Sequence, residues 1–345
     1  MSEWQITFWD VGQGDATDIQ LPDKSHILID SGPLSSRQNP LPAWFADPEI
    51  GRPRIRSLIL THSHRDHFGG AVTLCSDERQ WIDSVILPFD KSVKKLQDVK
   101  MDDEADRLLF TRFMAIVRSR KGTTAEYISS RGTIYESDGL RLKIIYPLKI
   151  STEKPLSGNL SGLVIVLESI ETAERPLIVW SGDTLLRNVV DNVPNGINGI
   201  LMGPHHGKPQ DSTPEEPDEK TGYFTSLCKR LSPEVLFVSV GRENPYDHPY
   251  RRYLISAAQA GVSVCCSELS KRCKEKCDGH VYQGSMMLGL QPPKGAMQCR
   301  GAMRVFVSAK GGLRFDQCQA EFLKSVKTSV PDGYCQRTLE HSQRR

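Results

Sequence analysis

Short stretches of alternating or continuous apolar residues mark the N-terminal part of the chain. Residues 4–10, 16–21 and 25–30 follow this pattern, with Gly12 and Gly14 in the first interval and Pro22-Asp23-Lys24 in the second. The pattern predicts a meander of three strands. Residues 33–56 carry several prolines and predict a loop with one helical turn around Trp44-Phe45. Residues 57–60 and 84–88 read as buried strands, and Phe68-Gly69-Gly70-Ala71 as the start of a helix between them. Over 103–120 the apolar positions Leu108, Leu109, Phe113, Ile116 and Val117 recur at helical spacing. Arg107, Arg112, Arg118, Arg120 and Lys121 occupy the other face, which reads as solvated. Asp138-Gly139 between residues 132–137 and 140–146 is a hairpin signal. Further strands are predicted at 161–168, 177–181, 197–202, 235–240 and 281–290, with helices from 184 to 193, at 227–231 and at 250–260. Strands that end in chemistry-bearing residues, with helices between them, predict an α/β (α+β) sandwich of two sheets covered by helices.

The chain has 345 residues, enough for one large domain or two ordinary ones. Lys and Arg total 44 against 42 for Asp and Glu, a formal charge of +2. That balance gives no global case for a nucleic-acid or membrane partner, so any such surface must be local. Neither a secretion leader nor a bilayer-length apolar run is read in the chain, which makes a cytoplasmic protein without a membrane partner the expectation. Nine cysteines in that compartment are better read as thiols or metal ligands than as disulfides.

Residues 61–67 read Thr-His-Ser-His-Arg-Asp-His. Three imidazoles and a carboxylate so close together are costly to bury without a cation among them, and they are the donors that divalent metals take. In an extended or turning segment His62 and His64 point the same way, and Asp66 and His67 then aim at a second point a few Å beyond. One loop at the carboxyl end of a strand is therefore suited to feed two adjacent ions.

The stretch resembles the signature of the metallo-β-lactamase superfamily. The string Asp10-Val11-Gly12-Gln13-Gly14-Asp15-Ala16, His205-His206-Gly207 and Asn244-Pro245-Tyr246-Asp247-His248-Pro249 resemble the hydrolase domain of the ComEC competence type over residues 4–290. The resemblance implies a four-layer αββα sandwich, here followed by a Cys-rich C-terminal extension. It implies that Asp30 supports the metal loop by hydrogen bonding, a role also open to Asp15 and weighed against a plain turn residue. It also implies that His248 reaches the site, to bind a phosphate oxygen or protonate a leaving group.

On this reading His62 and His64 hold the first of two ions, Zn or Mn, and Asp66 and His67 the second. Asp183 is the natural bridge, because a carboxylate has two oxygens. His206 completes the second site, with His205 as the alternative occupant or a substrate contact. Residues 68–204 contain no His, so the first position lacks the imidazole that most of the superfamily supplies. Asn159, in Ser157-Gly158-Asn159-Leu160-Ser161, resembles the branch's substitute and is read as a metal or substrate contact, or a turn residue. Residues 208–220, polar and acidic, read as a loop beside the site.

Cys266, Cys273 and Cys277, with His280 or Cys299 as fourth donor, form a candidate structural Zn site. The expected organisation is a hydrolase domain over 1–264, its Cys-rich end over 265–310, and an extension over 311–345. The expected function is a phosphodiesterase or nuclease that uses a metal-activated water, with nucleic acid as substrate, Asp66 as ligand and proton acceptor, and His248 as its catalytic partner. Two other readings remain open: a small-molecule or phosphorylcholine-type esterase, and a subunit of a bacterial multi-protein system such as phage defence, in which binding dominates. No signal in the chain identifies protein partners or oligomeric state.

Overall fold

A computed structural model describes residues 3–35, 39–88, 103–128, 130–149, 162–172, 175–208, 221–242, 244–246, 248–270, 273, 279–331 and 333–336. Asn159, Cys277, Asp247 and the loop 209–220 lie outside them.

The N-terminal meander is β1 (Glu3–Phe8), β2 (Thr17–Gln20) and β3 (His26–Ile29). After α1 (Leu41–Ala46), the chain forms β4 (Ile55–Ile59), α2 (Arg65–Ser76), β5 (Ile82–Leu87), α3 (Glu104–Ser119) and β6 (Thr124–Tyr127). The second half runs β7 (Ser130–Ser137), β8 (Leu140–Lys149), β9 (Val164–Ser169), β10 (Ile178–Trp180), α4 (Leu186–Asn192), β11 (Ile200–Met202), α5 (Thr221–Leu231), β12 (Val235–Val238), α6 (Arg251–Gln259) and β13 (Ser263–Cys266). It closes with β14 (Met303–Ser308), β15 (Leu313–Phe315) and α7 (Cys318–Ser329).

An eight-stranded sheet has the order β15-β14-β1-β2-β3-β4-β5-β6, and a seven-stranded sheet the order β13-β12-β11-β10-β9-β8-β7. Period-two alternation explains how they meet. Trp4, Ile6 and Phe8 on one face of β1 join Ile27 and Ile29 of β3 and Ile59 of β4 in a core shared with Ile165, Val179, Leu201 and Phe237 of the other sheet. Phe8 touches both Trp180 and Phe237, at centroid distances of 6.3 and 5.2 Å. The opposite face of the first sheet, with Leu28, Leu58 and Val85, packs under Phe45 of α1, Phe68 and Val72 of α2, and Phe110 and Phe113 of α3. Val189, Leu231, Leu254 and Ala257 of α4, α5 and α6 extend the main core on the far side. The result is the expected four-layer sandwich.

One feature differs from the sequence reading. Residues 281–290 are not a strand: they hold one helical turn, Gly284–Met287, because Gly284 passes so close to Arg300 that a Cβ there would lie 2.1 Å from the Arg300 carbonyl oxygen. β14 pairs along the whole of β1, from Glu3 with Ser308 to Phe8 with Met303, and β15 pairs with β14. The boundary expected at 310 falls in the β14–β15 hairpin. No helix among the described residues is long and apolar enough to cross a membrane.

Candidate metal centre

The site forms where parallel strands of both sheets end. β3, β4 and β5 run parallel in one sheet, and β10, β11, β12 and β13 in the other. Their carboxyl ends deliver Asp30, the 61–67 segment, Asp183 and His205-His206, as open parallel sheets place their sites. Helix α2 starts three residues earlier than expected, capped by His64, so Asp66 and His67 sit in its first turn. Its approach to the meander requires small residues. Gly14 has a φ of 141°, and a Cβ there would lie 2.2 Å from the Asp66 carbonyl oxygen; at Gly70 it would lie 2.1 Å from that of Ser31.

Asp183 is at the centre. Its Oδ2 lies 3.4 Å from His62 Nε2, 3.8 Å from His64 Nδ1 and 3.6 Å from His205 Nε2. Its Oδ1 lies 3.2 Å from His67 Nε2 and 3.6 Å from His206 Nε2. His206 Nε2 is also 3.4 Å from Asp66 Oδ2. The two carboxylate oxygens thus face two donor sets, His62 with His64 and Asp66 with His67 and His206, each compact enough to share an ion. The adjacent pair His205 and His206 divides between them, because both residues adopt the left-handed conformation (φ 50° and 51°) that turns the chain sharply at this point. Two successive non-glycine residues there store strain of roughly 1–3 kcal/mol each, a cost met at sites whose side-chain directions matter.

Partners behind the rings select which nitrogen faces inward. Asp30 accepts from Thr61 N (2.8 Å), Thr61 Oγ1 (2.6 Å) and His67 Nδ1 (2.8 Å), leaving His67 Nε2 for the centre. His206 Nδ1 sits 2.9 Å from the Ser239 carbonyl and 3.3 Å from Asp15 Oδ1, which likewise frees Nε2. Asp30 and Asp15 therefore stand behind the rings of His67 and His206. Thr61 and Ser239 had no assigned part; Thr61 stands next to the first ligand candidate and Ser239 just past the end of β12, and only the fold brings their polar atoms to the rings.

The electrostatics favour cations. Burial tends to lower His67 and His206, but Asp183 and Asp30 around the first, and Asp15 and Asp183 around the second, hold both well above the ordinary imidazole range. Burial likewise tends to raise Asp183, yet His67, His62, His205 and His206 hold it well below the carboxylate range. Asp183 Oδ1 and Asp15 Oδ1 are buried without a hydrogen-bond partner. A nitrogen and oxygen donor set with an orphaned central oxygen fits divalent ions such as Zn²⁺ or Mn²⁺.

His248, buried at 3% exposure, completes the wall, 5.7 Å from His205 and 6.2 Å from His206 between ring centroids. Its Nδ1 has no hydrogen-bond partner. Burial, with His206 and His205 beside it, pushes its pKa down to about 3, so the ring is neutral at physiological pH.

The family model described as the metallo-beta-lactamase superfamily matches residues 9–79, the stretch from the Asp10–Asp15 link through α2. This chain has the metallo-β-lactamase fold. It is similar to ComE operon protein 3 of Bacillus subtilis (strain 168), 25% identical over 275 residues that cover 73% of this chain and 30% of that protein. It is also similar to Recombination protein 2 of Haemophilus influenzae, 26% identical over 253 residues, covering 72% of this chain and 25% of that protein. The chain spans less than a third of the length of either relative. Among solved structures, the metallo-beta-lactamase fold protein YhfI of Bacillus subtilis superposes with a TM-score of 0.45 at 9% identity, over 76% of this chain and 96% of that one.

The cysteines stand apart from this centre. Cys75, Cys228, Cys265, Cys266, Cys299, Cys318 and Cys335 are free thiols. Cys266, Cys273 and Cys299 share the main core, and Cys335 packs against it. Burial, then Cys266, Cys335 and Cys273 as neighbours, raises Cys299 well above the thiol range. His280 is exposed and its Nδ1 accepts the Gln298 N–H at 3.0 Å. Among the described residues, every group of donors compact enough to share an ion is formed by His and Asp at the centre above.

Proposed function

We propose that the chain is a metal-dependent phosphodiesterase with nucleic acid as its substrate. One observation carries this reading: the two oxygens of Asp183 divide between two donor sets, the arrangement that an in-line phosphoryl displacement needs. His62, His64 and, beside the same oxygen, His205 would hold one ion; Asp66, His67 and His206 would hold the other. Bound there, such a pair supplies an acidified water and a clamp for phosphoryl oxygens. Asp30 and Ser239 fix the ring orientations, and Asp66, beside His206, would take the proton of the attacking water. The neutral His248 contacts a phosphoryl oxygen through its unpartnered Nδ1. Similarity to ComE operon protein 3 and to Recombination protein 2 supports a nucleic-acid substrate.

Purified protein should cut DNA or RNA in Mn²⁺ or Zn²⁺ and bind two ions at this centre by mass spectrometry. His62→Ala and His206→Ala should each lose one ion, and Asp183→Ala both, together with activity. Two bound ions and no cleavage of any nucleic acid would overturn the nuclease assignment. We also propose that Cys266, Cys273 and Cys277, with His280 or Cys299, hold a structural Zn²⁺, supported by the burial of Cys266, Cys273 and Cys299 in one core.

A further inference from the structure

Three aromatic rings form a row from the metal centre outward. His206 and His248 lie 6.2 Å apart with their planes at 25°, and His248 and Tyr246 lie 5.6 Å apart at 28°. The row runs from a buried ring, through the buried His248, to Tyr246, which is 54% exposed. The loop that carries it is held from inside. Asn244 Nδ2 donates to the carbonyls of Gly241 (2.8 Å) and His248 (2.9 Å), and Asn244 Oδ1 accepts the His248 N–H (2.8 Å). Tyr246 is thus a large apolar ring, kept in water on a braced loop, beside a buried imidazole whose Nδ1 has no partner.

That combination has a chemical complement. A phosphodiester at the metal centre and His248 would place the base of the same nucleotide one sugar away, and Tyr246 stands 5.6 Å from His248. Stacking on an aromatic ring is indifferent to base identity, but it needs a base whose face is free. In a duplex each base is covered by its neighbours and would have to be unstacked first. We propose that Tyr246 is the platform on which an unpaired base stacks beside the scissile phosphodiester, making single-stranded nucleic acid the preferred substrate. This rests on the phosphodiesterase reading above and narrows it.

The test uses the metal-loaded full chain and three substrates of equal length: a fluorescent oligothymidine, the same strand with alternate thymidines replaced by abasic sites, and a blunt duplex. Wild type should cut oligothymidine in preference to both others. Tyr246→Ala should raise KM for oligothymidine roughly tenfold, the order of effect seen when a base-stacking ring is removed. Tyr246→Phe should retain the wild-type KM, and Tyr246→Ala should bring the intact and abasic strands to equal rates. Equal KM for wild type and Tyr246→Ala on oligothymidine overturns the proposal. So does an equal loss on both single strands, which would mark Tyr246 as a prop for His248 instead. A wild-type chain that binds two ions and cuts neither strand overturns the phosphodiesterase reading itself, and the platform with it.

Discussion

Replacing Asp30 tests the centre without touching an inward-facing donor. Its carboxylate is buried and takes three hydrogen bonds, from Thr61 N, Thr61 Oγ1 and His67 Nδ1. In Asp30→Ala the Thr61 hydroxyl can still turn to His62 Nδ1, 3.0 Å away, but Thr61 N and His67 Nδ1 are left buried and unpaired. At about 1–3 kcal/mol for each unsatisfied donor, the expected loss of stability is roughly 2–6 kcal/mol. Asp30→Asn separates folding from metal binding. If the amide oxygen keeps the Thr61 N–H, the amide NH₂ occupies the place of Oδ2 and faces His67 Nδ1 as a donor. That pairing favours the tautomer with the proton on Nε2, the nitrogen that faces Asp183. Metal affinity should fall about 10- to 100-fold, the range for loss of a partner behind a metal-binding histidine, while stability drops much less than in the alanine variant. Competition with a chromogenic chelator gives the first quantity and urea melts of chelator-treated protein give the second. An asparagine variant that binds both ions as tightly as wild type would refute the assignment of Asp30 as the group that fixes the His67 tautomer.

Gly14→Ala should cost about 2–5 kcal/mol and weaken metal binding, because its Cβ overlaps the Asp66 carbonyl in a backbone region that disfavours side chains; a denaturant midpoint equal to wild type would disprove that close approach. Asp10 accepts from Gln298 Nε2 at 3.0 Å, but burial raises its pKa from 3.8 to about 7. The folded state therefore holds a proton that the unfolded state releases near pH 4, so stability falls as pH rises from about 4 to about 7. Between pH 5 and 7 this amounts to about 2–3 kcal/mol, and urea melts of Asp10→Asn at both pH values should show a slope flatter by that amount. Cys273→Ala should release one Zn²⁺ by mass spectrometry while the two ions at the Asp183 centre remain; retention of every ion would reject the cysteine site.

The candidate donors that the fold gathers are legible in the sequence because metal-ligand spacing is a local property. Thr61 to His67 presents its chemistry within one strand end and one helical turn, and Asp183 and the His205-His206 pair follow short apolar strands. What sequence leaves open is direction. Nothing in two consecutive histidines says that His205 turns to one oxygen of Asp183 and His206 to the other, because that depends on paired left-handed backbone angles and on the Ser239 carbonyl. The pairing of β14 with β1 was equally hidden, since it joins residues some three hundred positions apart and leaves no periodic trace. The strand expected at 281–290 failed because an apolar run marks burial without saying which neighbour comes close, and here the Arg300 backbone does.

The supporting groups also connect the meander to the chemistry. Asp15 leaves the β1–β2 link and Asp30 the end of β3, while the rings they hold stand on α2 and on the loop after β11. Ser239 ties the halves together a second time: its carbonyl lies against His206, and its hydroxyl donates to the carbonyl of Gly14. Ring orientation at the His67–His206 donor set therefore depends on the two sheets being in register, whereas His62 and His64 follow β4 directly and meet the second sheet only at Asp183 and His205. Damage to the packing between the sheets, at Phe8 against Trp180 and Phe237, should loosen the ion at Asp66, His67 and His206 before the one at His62 and His64. Phe8→Leu, titrated with metal in steps, should separate two affinities that wild type binds closer together, and equal weakening of both would show that the β4 loop also relies on that register.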